Sequence, residues 1–314
     1  MNRSAFLILC ASLAALGQVD FKREGNNIQV SVDGKPFTEF FMGPEAPRPY
    51  LHPLRAASGK IVTRRYPMEK VAGEPTDHEH HRGVWFGFQD VNHVNFWANE
   101  FSYAPKQTNL GKIVLKQVDS MKGGKRSGTI VATFDWRGPK NELVLTEKRT
   151  MTFFADPKLR TIDFDFLLIP NGKVTFYDEK DGAFAVRVHP GIQEEKSVGT
   201  LVNDQGVEKE KNVWGKPSKW MDYHGVVEGE KLGIAIFDHP ENLRHPQRWH
   251  ARGYGLFAVN PFCLAMFTGD KTKPGDYTIA ADQTLRLRYR LVVHPDDTKT
   301  AGIADLYEKY TKRK

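Results

Sequence analysis

Between Asp77 and Gly83 the chain reads Asp-His-Glu-His-His-Arg-Gly, which places three of its eleven histidines within four residues. Imidazole changes charge near neutral pH and so serves as a general acid or base, and two imidazoles two residues apart on a strand converge on one metal ion. On extended backbone His78, His80 and Arg82 share one side, while Asp77, Glu79 and His81 share the other. His80 and His81 are therefore catalytic candidates, and Arg82 suits a carboxylate or a developing oxyanion. His78 and His80 are the candidate ligands of a divalent metal, and no other cofactor is implied. The competing reading is that some of these histidines only cap loops and bond backbone groups.

Three further groups carry polar and aromatic residues at spacings that suit a saccharide, whose hydroxyls bond amides and carboxylates and whose ring faces stack on aromatics. After the histidines come Trp85, Asp90, Asn92, Asn95, Phe96, Trp97 and Asn99. Core packing competes with ligand contact for Trp85 and Phe86, whereas Trp97 is read as a ligand contact. A second group runs from Trp214 through Trp220 to Asp222 and His224, where Asp222 can orient an imidazole or act as a base; turn capping explains it equally well. Upstream of it, Arg187 and His189 alternate with apolar residues and point to one face. In the third group Asp238 and Asn242 end a strand, followed by Trp249, His250 and Asn260, with His250 as the catalytic candidate. Asp238 can instead cap a short helix begun by Pro240. His52, His93, His245 and His294 have no local partners and read as surface residues. Cys263 lies in an apolar run and reads as buried and inert.

These residues must be held by strands. Apolar and polar residues alternate at period two in Ile28–Val32, in Ile162–Leu168 and, most cleanly, in Leu285–Leu291, where Arg286, Arg288 and Arg290 interleave. Further strands are expected over Ile113–Val118, Thr129–Trp136, Leu143–Phe154, Ala183–Val188, Gly233–Phe237 and Leu256–Val259, separated by Gly, Pro, Asn and Asp. Thr300–Tyr310 reads as a helix, and a shorter one is expected after Glu241. The pattern predicts an all-β protein: a large antiparallel β-sandwich with a short C-terminal helix, of the kind seen in galactose mutarotases by analogy of size.

Residues 1–17 read as a signal peptide, because Asn2 and Arg3 precede an apolar run too short to span a bilayer, with Ala15 and Gly17 before a cleavage point. That makes 18–314 a single sandwich domain, secreted or periplasmic, with Cys263 the sole cysteine of the two to remain. No later stretch is long and apolar enough for a membrane span. The formal charge of +7 is scattered in short clusters, so nucleic acid is not the expected partner. No phosphate loop, serine-esterase elbow or dinucleotide fingerprint is present.

The segments Asp77–Trp97, Trp220–Gly225, Gly233–Asn242 and Trp249–Phe262 together resemble the PmoA-like family of exported bacterial proteins, over roughly Phe21 to Val293. By motif the resemblance carries over Asp77, His78, His80, His81, Arg82, Trp85, Asp90, Asn92, Trp97, Arg187, Trp220, Asp222, Asp238, Asn242, Trp249, His250 and Asn260. Phe88 stands where a further histidine is expected and His224 where a serine is commoner. The resemblance implies an exported carbohydrate context, and its label implies a metal-dependent oxygenase. The residues themselves point first to an enzyme acting on a saccharide or modified glycoside by histidine-led acid/base chemistry. In that reading His80 or His81 works with His250. A noncatalytic carbohydrate-binding or envelope-associated protein is the alternative. The oligomeric state is not legible.

Overall fold

The computed structural model describes residues 17–196 and 199–312, so the expected leader lies outside the described residues apart from Gly17. Two antiparallel sheets pack face to face. The first has nine strands in the spatial order Arg248–Ala251, Leu256–Asn260, Gly182–Arg187, Val84–Phe88, Tyr50–His52, Lys35–Phe41, Asn27–Val32, Gln18–Glu24 and Gly124–Lys125. The second has eight, ordered Thr200–Asn203, Trp220–Val227, Glu230–Asp238, Leu285–Pro295, Arg160–Pro170, Leu143–Ala155, Ser127–Arg137 and Lys112–Lys122. The all-β class, the large antiparallel sandwich and the short C-terminal helix, Ile303–Thr311, are as the alternation predicts.

One apolar cluster fills the space between the sheets because each strand turns its alternate residues inward. Phe86 of the nine-stranded sheet stacks on Phe166 of the other at 4.1 Å between ring centroids, and Phe184 stacks on Tyr289 at 5.1 Å. Trp249 belongs to this core, fully buried, with its indole N–H donated to the Ser218 carbonyl at 3.0 Å. Its sequence neighbour His250 points to the opposite face, as period two requires.

The helix expected after Glu241 is absent. Residues 240–246 form turns, organised by the buried Asp238 carboxylate, which accepts bonds from Asn242 Nδ2 at 2.8 Å and from the Gln247 backbone N–H at 2.8 Å, and faces His245 Nδ1 at 2.7 Å. Asn242 also closes on the neighbouring strand, donating to the Arg288 carbonyl and accepting its N–H. A buried carboxylate with three partners holds a loop better than it caps a helix.

Candidate functional site

The outer face of the nine-stranded sheet carries a continuous cross-strand row: Phe41 pairs with Tyr50, Tyr50 with Trp85, Trp85 with Ala185, Ala185 with Ala258, and Ala258 with His250. Most of this row belongs to a second apolar cluster, separate from the inter-sheet core, to which Trp97 also belongs. The histidine segment lies over it.

That segment is not extended. His78 takes a positive φ of 45°, and the His81 N–H bonds back to the His78 carbonyl at 2.9 Å, so the chain turns. The turn ends at Gly83, φ 50°, where a β-carbon would stand 2.0 Å from the Leu51 carbonyl oxygen. The two-sided arrangement expected from a strand is thereby replaced. Asp77, His78, His80 and His81 gather on one side, while Glu79 takes the Ser102 hydroxyl and Arg82 forms a two-pronged pair with Glu100, both bonds 2.8 Å. Four rings form a column, Tyr254 on His78 at 5.1 Å, His78 on His81 at 4.9 Å and His81 on Trp85 at 5.1 Å, all within 21° of parallel. His80 meets His81 edge-on at 4.4 Å. Trp85 and Trp97 are each 1% exposed and support this column from below.

Three buried arginines distant in sequence grip the turn. Arg64 donates to the Asp77 and His78 carbonyls at 2.7 and 2.8 Å, and Arg48 donates to the His80 carbonyl and to Asn99. Arg187 donates to both Asp77 oxygens at 3.0 Å and to His81 Nδ1 at 3.1 Å. A guanidinium has only donors, so His81 Nδ1 accepts and a neutral ring carries its proton on Nε2. Burial first, then the neighbouring cations, hold both His80 and His81 well below the ordinary imidazole range. His80 Nδ1 is engaged by the Tyr103 hydroxyl at 3.0 Å. His78 differs: its side chain is 43% exposed, and its Nδ1 bonds the Asp77 carboxylate. Burial works to raise Asp77, but Arg187, His78 and Arg64 outweigh it and keep the group ionised.

His250 stands three strand spacings from Trp85 along the row, roughly 14 Å at about 4.8 Å per strand. Trp214 donates to its Nδ1 at 3.1 Å, and its Nε2 lies 3.6 Å from Asp181. Burial pushes it down to about 4, against the pull of Asp181. Asn260 positions that carboxylate's loop, donating to the Glu179 and Lys180 carbonyls at 2.9 and 3.0 Å.

The sequence profile of DUF6807, a family of unknown function, matches residues 27–308. The chain belongs to DUF6807. No curated protein matches it. Solved structures similar to this DUF6807 chain include a galactose mutarotase-like protein from Clostridium acetobutylicum, with 9% identity, TM-score 0.37, and 88% of this chain and 98% of that one covered. A galactose mutarotase-like protein from Lactobacillus casei gives 8% identity and TM-score 0.37 over 88% and 100%. An α-galactosidase from Lactobacillus brevis gives 8% identity and TM-score 0.39 over 89% of this chain, which spans 40% of that enzyme.

In this DUF6807 structure the other residues singled out from sequence lie apart from the histidine column. Asp90 and Asn92 pin a loop: Asp90 accepts the His93 N–H, and Asn92 exchanges bonds with Lys173 and Thr175. Asp222 sits on the eight-stranded sheet, fully buried between His294 at 2.9 Å and His224 at 3.4 Å, with the Thr298 hydroxyl donated to it. Gly233 lies between the two histidines in the strand register, and a β-carbon there would come within 2.4 Å of the His294 ring. His224 and Thr298 also line an open cleft of about 700 Å³ beside the C-terminal helix. His294 and His245, read from sequence as unpartnered surface residues, are respectively buried against Asp222 and bonded to Asp238, and His52 is buried. Among the described residues no three His, Cys, Asp or Glu side chains converge as a set of metal ligands. Arg48, Arg64, Tyr103, Asp181 and Tyr254 escaped the sequence reading, because nothing local distinguishes them from surface polar residues.

The Asp222–His294 pair makes stability depend on pH. Burial opposes the charge on His294, but Asp222 overcomes it and raises the imidazole; Asp222 itself, despite burial, is lowered by His294. A raised histidine contributes stability that is complete below its unfolded value of about 6.5 and is lost as pH climbs through the folded value. A lowered aspartate contributes above about 3.9 and is lost in acid. The pair is therefore most stabilising between those limits. His294→Gln should lower stability more at pH 5.5 than at pH 9, read from urea unfolding midpoints. An equal loss at both values would show that the charge pair contributes nothing.

Proposed function

We propose that this protein is an enzyme acting on a saccharide or modified glycoside at the outer face of the nine-stranded sheet, with His78 as its proton-transfer group. The observation that carries the proposal is the Asp77–His78 pair. It is the one pair in the histidine turn that combines a carboxylate on Nδ1 with an accessible ring. Asp77, held by Arg64 and Arg187, orients the imidazole and balances the charge it acquires, which leaves Nε2 to take a proton from a substrate. His80 and His81, kept neutral by burial and by arginines, are positioning groups that complete the column beneath it. Tyr254 stacks on His78, Arg252 lies over the Tyr254 ring at 5.5 Å, and Tyr103 engages His80, so donors and acceptors suited to hydroxyl groups stand beside the turn. His250, with Trp214 and Asp181, is a second buried imidazole on the same face.

The test is incubation of the purified chain with a panel of oligosaccharides and glycosides, with products followed by mass spectrometry and binding by calorimetry. Turnover by the wild type that is lost in His78→Ala is the expected result. Binding without any product would make the protein a noncatalytic carbohydrate-binding module, and neither binding nor product would remove the saccharide altogether.

A further inference from the structure

We infer that the saccharide taken at this site carries an anionic group, a carboxylate or a sulfate ester; the inference rests on the saccharide reading above. The reason is an uncompensated positive layer beneath the histidines. Arg48, Arg64 and Arg187 are each no more than 1% exposed. Arg64 and Arg187 share the single carboxylate of Asp77. Arg48 has only neutral acceptors, the Trp97 and His80 carbonyls and the Asn99 side chain. Glu100, the buried acid nearby, is spent on both prongs of Arg82.

Three buried cations thus have one directly bonded carboxylate among them; Glu74 and Glu195 also act through space on Arg64 and Arg187, and Glu74 is itself paired with Arg65. Burying an unpaired ion costs several kcal/mol, and a fold retains that cost where something else offsets it. The histidines do not: their protons would add to the surplus. The rim does not either, since Glu79 holds the Ser102 hydroxyl and Asp181 is paired with Lys180 at 2.9 Å. The accessible edge of the layer is at Asp77 and His78, where an anion on the ligand meets the field of the guanidiniums. The buried Nε groups of Arg64, Arg187 and Arg48, and the Trp85 indole N–H, have no acceptor. The layer therefore holds more donors than the protein itself satisfies.

Calorimetric titration of the full chain with one disaccharide in three forms, the uronate, its carboxyl-reduced neutral counterpart and its sulfate ester, tests this. At least one acidic form should bind about tenfold tighter than the neutral form, a difference of about 1.4 kcal/mol, and should weaken as salt is raised. Which acidic form it is identifies the group. Because the whole chain is basic, Asp77→Asn provides the localisation: it removes the carboxylate that Arg64 and Arg187 share and should tighten the acidic form further. His78→Ala, at an exposed position, localises the site independently by weakening both forms. Equal affinity for acidic and neutral forms, or an acidic preference that Asp77→Asn leaves unchanged together with affinities that His78→Ala leaves unchanged, overturns the inference while leaving the saccharide reading standing. Failure of every saccharide to bind overturns both.

Discussion

His78→Ala is expected to lower kcat/KM by about 10²–10⁴, the usual contribution of a positioned acid/base group, while leaving the protein folded. The two effects separate because the His78 ring is half exposed and packs by stacking on His81 and Tyr254 and edge-on against His80. Loss of that stacking costs about 0.5–1.5 kcal/mol, which a thermal melt will register as a small shift. Steady-state kinetics on a substrate found in the saccharide panel, run beside the melt, gives both numbers from one preparation. His80→Ala is the informative comparison. His80 is buried, neutral and engaged by Tyr103, so its loss should act more on stability and less on turnover. If His80→Ala abolishes turnover in a folded protein while His78→Ala does not, the assignment of the proton-transfer role is wrong.

Arg187→Met is expected to destabilise the fold by about 3 kcal/mol, at the lower end for breaking a buried ion pair. The side chain is fully buried, and its removal takes away both bonds to Asp77, the donor to His81 Nδ1 and the guanidinium 4.6 Å over the Tyr254 ring. The value lies at the lower end because Asp77 is 38% exposed to water and keeps its pair with Arg64 at 3.0 Å. Urea unfolding with an unchanged slope reads the loss directly. Arg187→Lys should recover only part of it, since a single ammonium cannot reach Asp77 and His81 in the forked geometry. A loss below about 1 kcal/mol for the methionine variant, the range of a surface pair, would show that Arg187 does not organise the turn.

Much of the architecture was legible because β-structure writes itself into sequence at period two. The strands anticipated at Ile28–Val32, Thr129–Trp136, Ile162–Leu168 and Leu285–Leu291 lie within observed strands. Of the strands missed, Thr200–Asn203 and Arg248–Ala251 are short and almost wholly buried, so neither shows an alternation to read. The helix expected after Glu241 failed for a related reason. Pro240 and Asp238 signal a helix start locally, but the Asp238 carboxylate is satisfied by His245 and Gln247 across the loop instead.

The histidine run was conspicuous from composition alone, and the sequence by itself determined that Asp77–Arg82 holds the densest reactive chemistry of the chain. Only the tertiary structure decided what each histidine can do. The turn at His78 brings together side chains that a strand would have divided, and Arg48, Arg64 and Arg187 arrive from separate segments to hold His80 and His81 neutral and Asp77 ionised. Asp222, equally promising in sequence, is instead placed on the other sheet against His294. Strand periodicity is a property of neighbouring residues and can be read along the chain. The charge and tautomer of an imidazole depend on burial and on cations a few ångströms away, and those neighbours are adjacent in space, not in sequence.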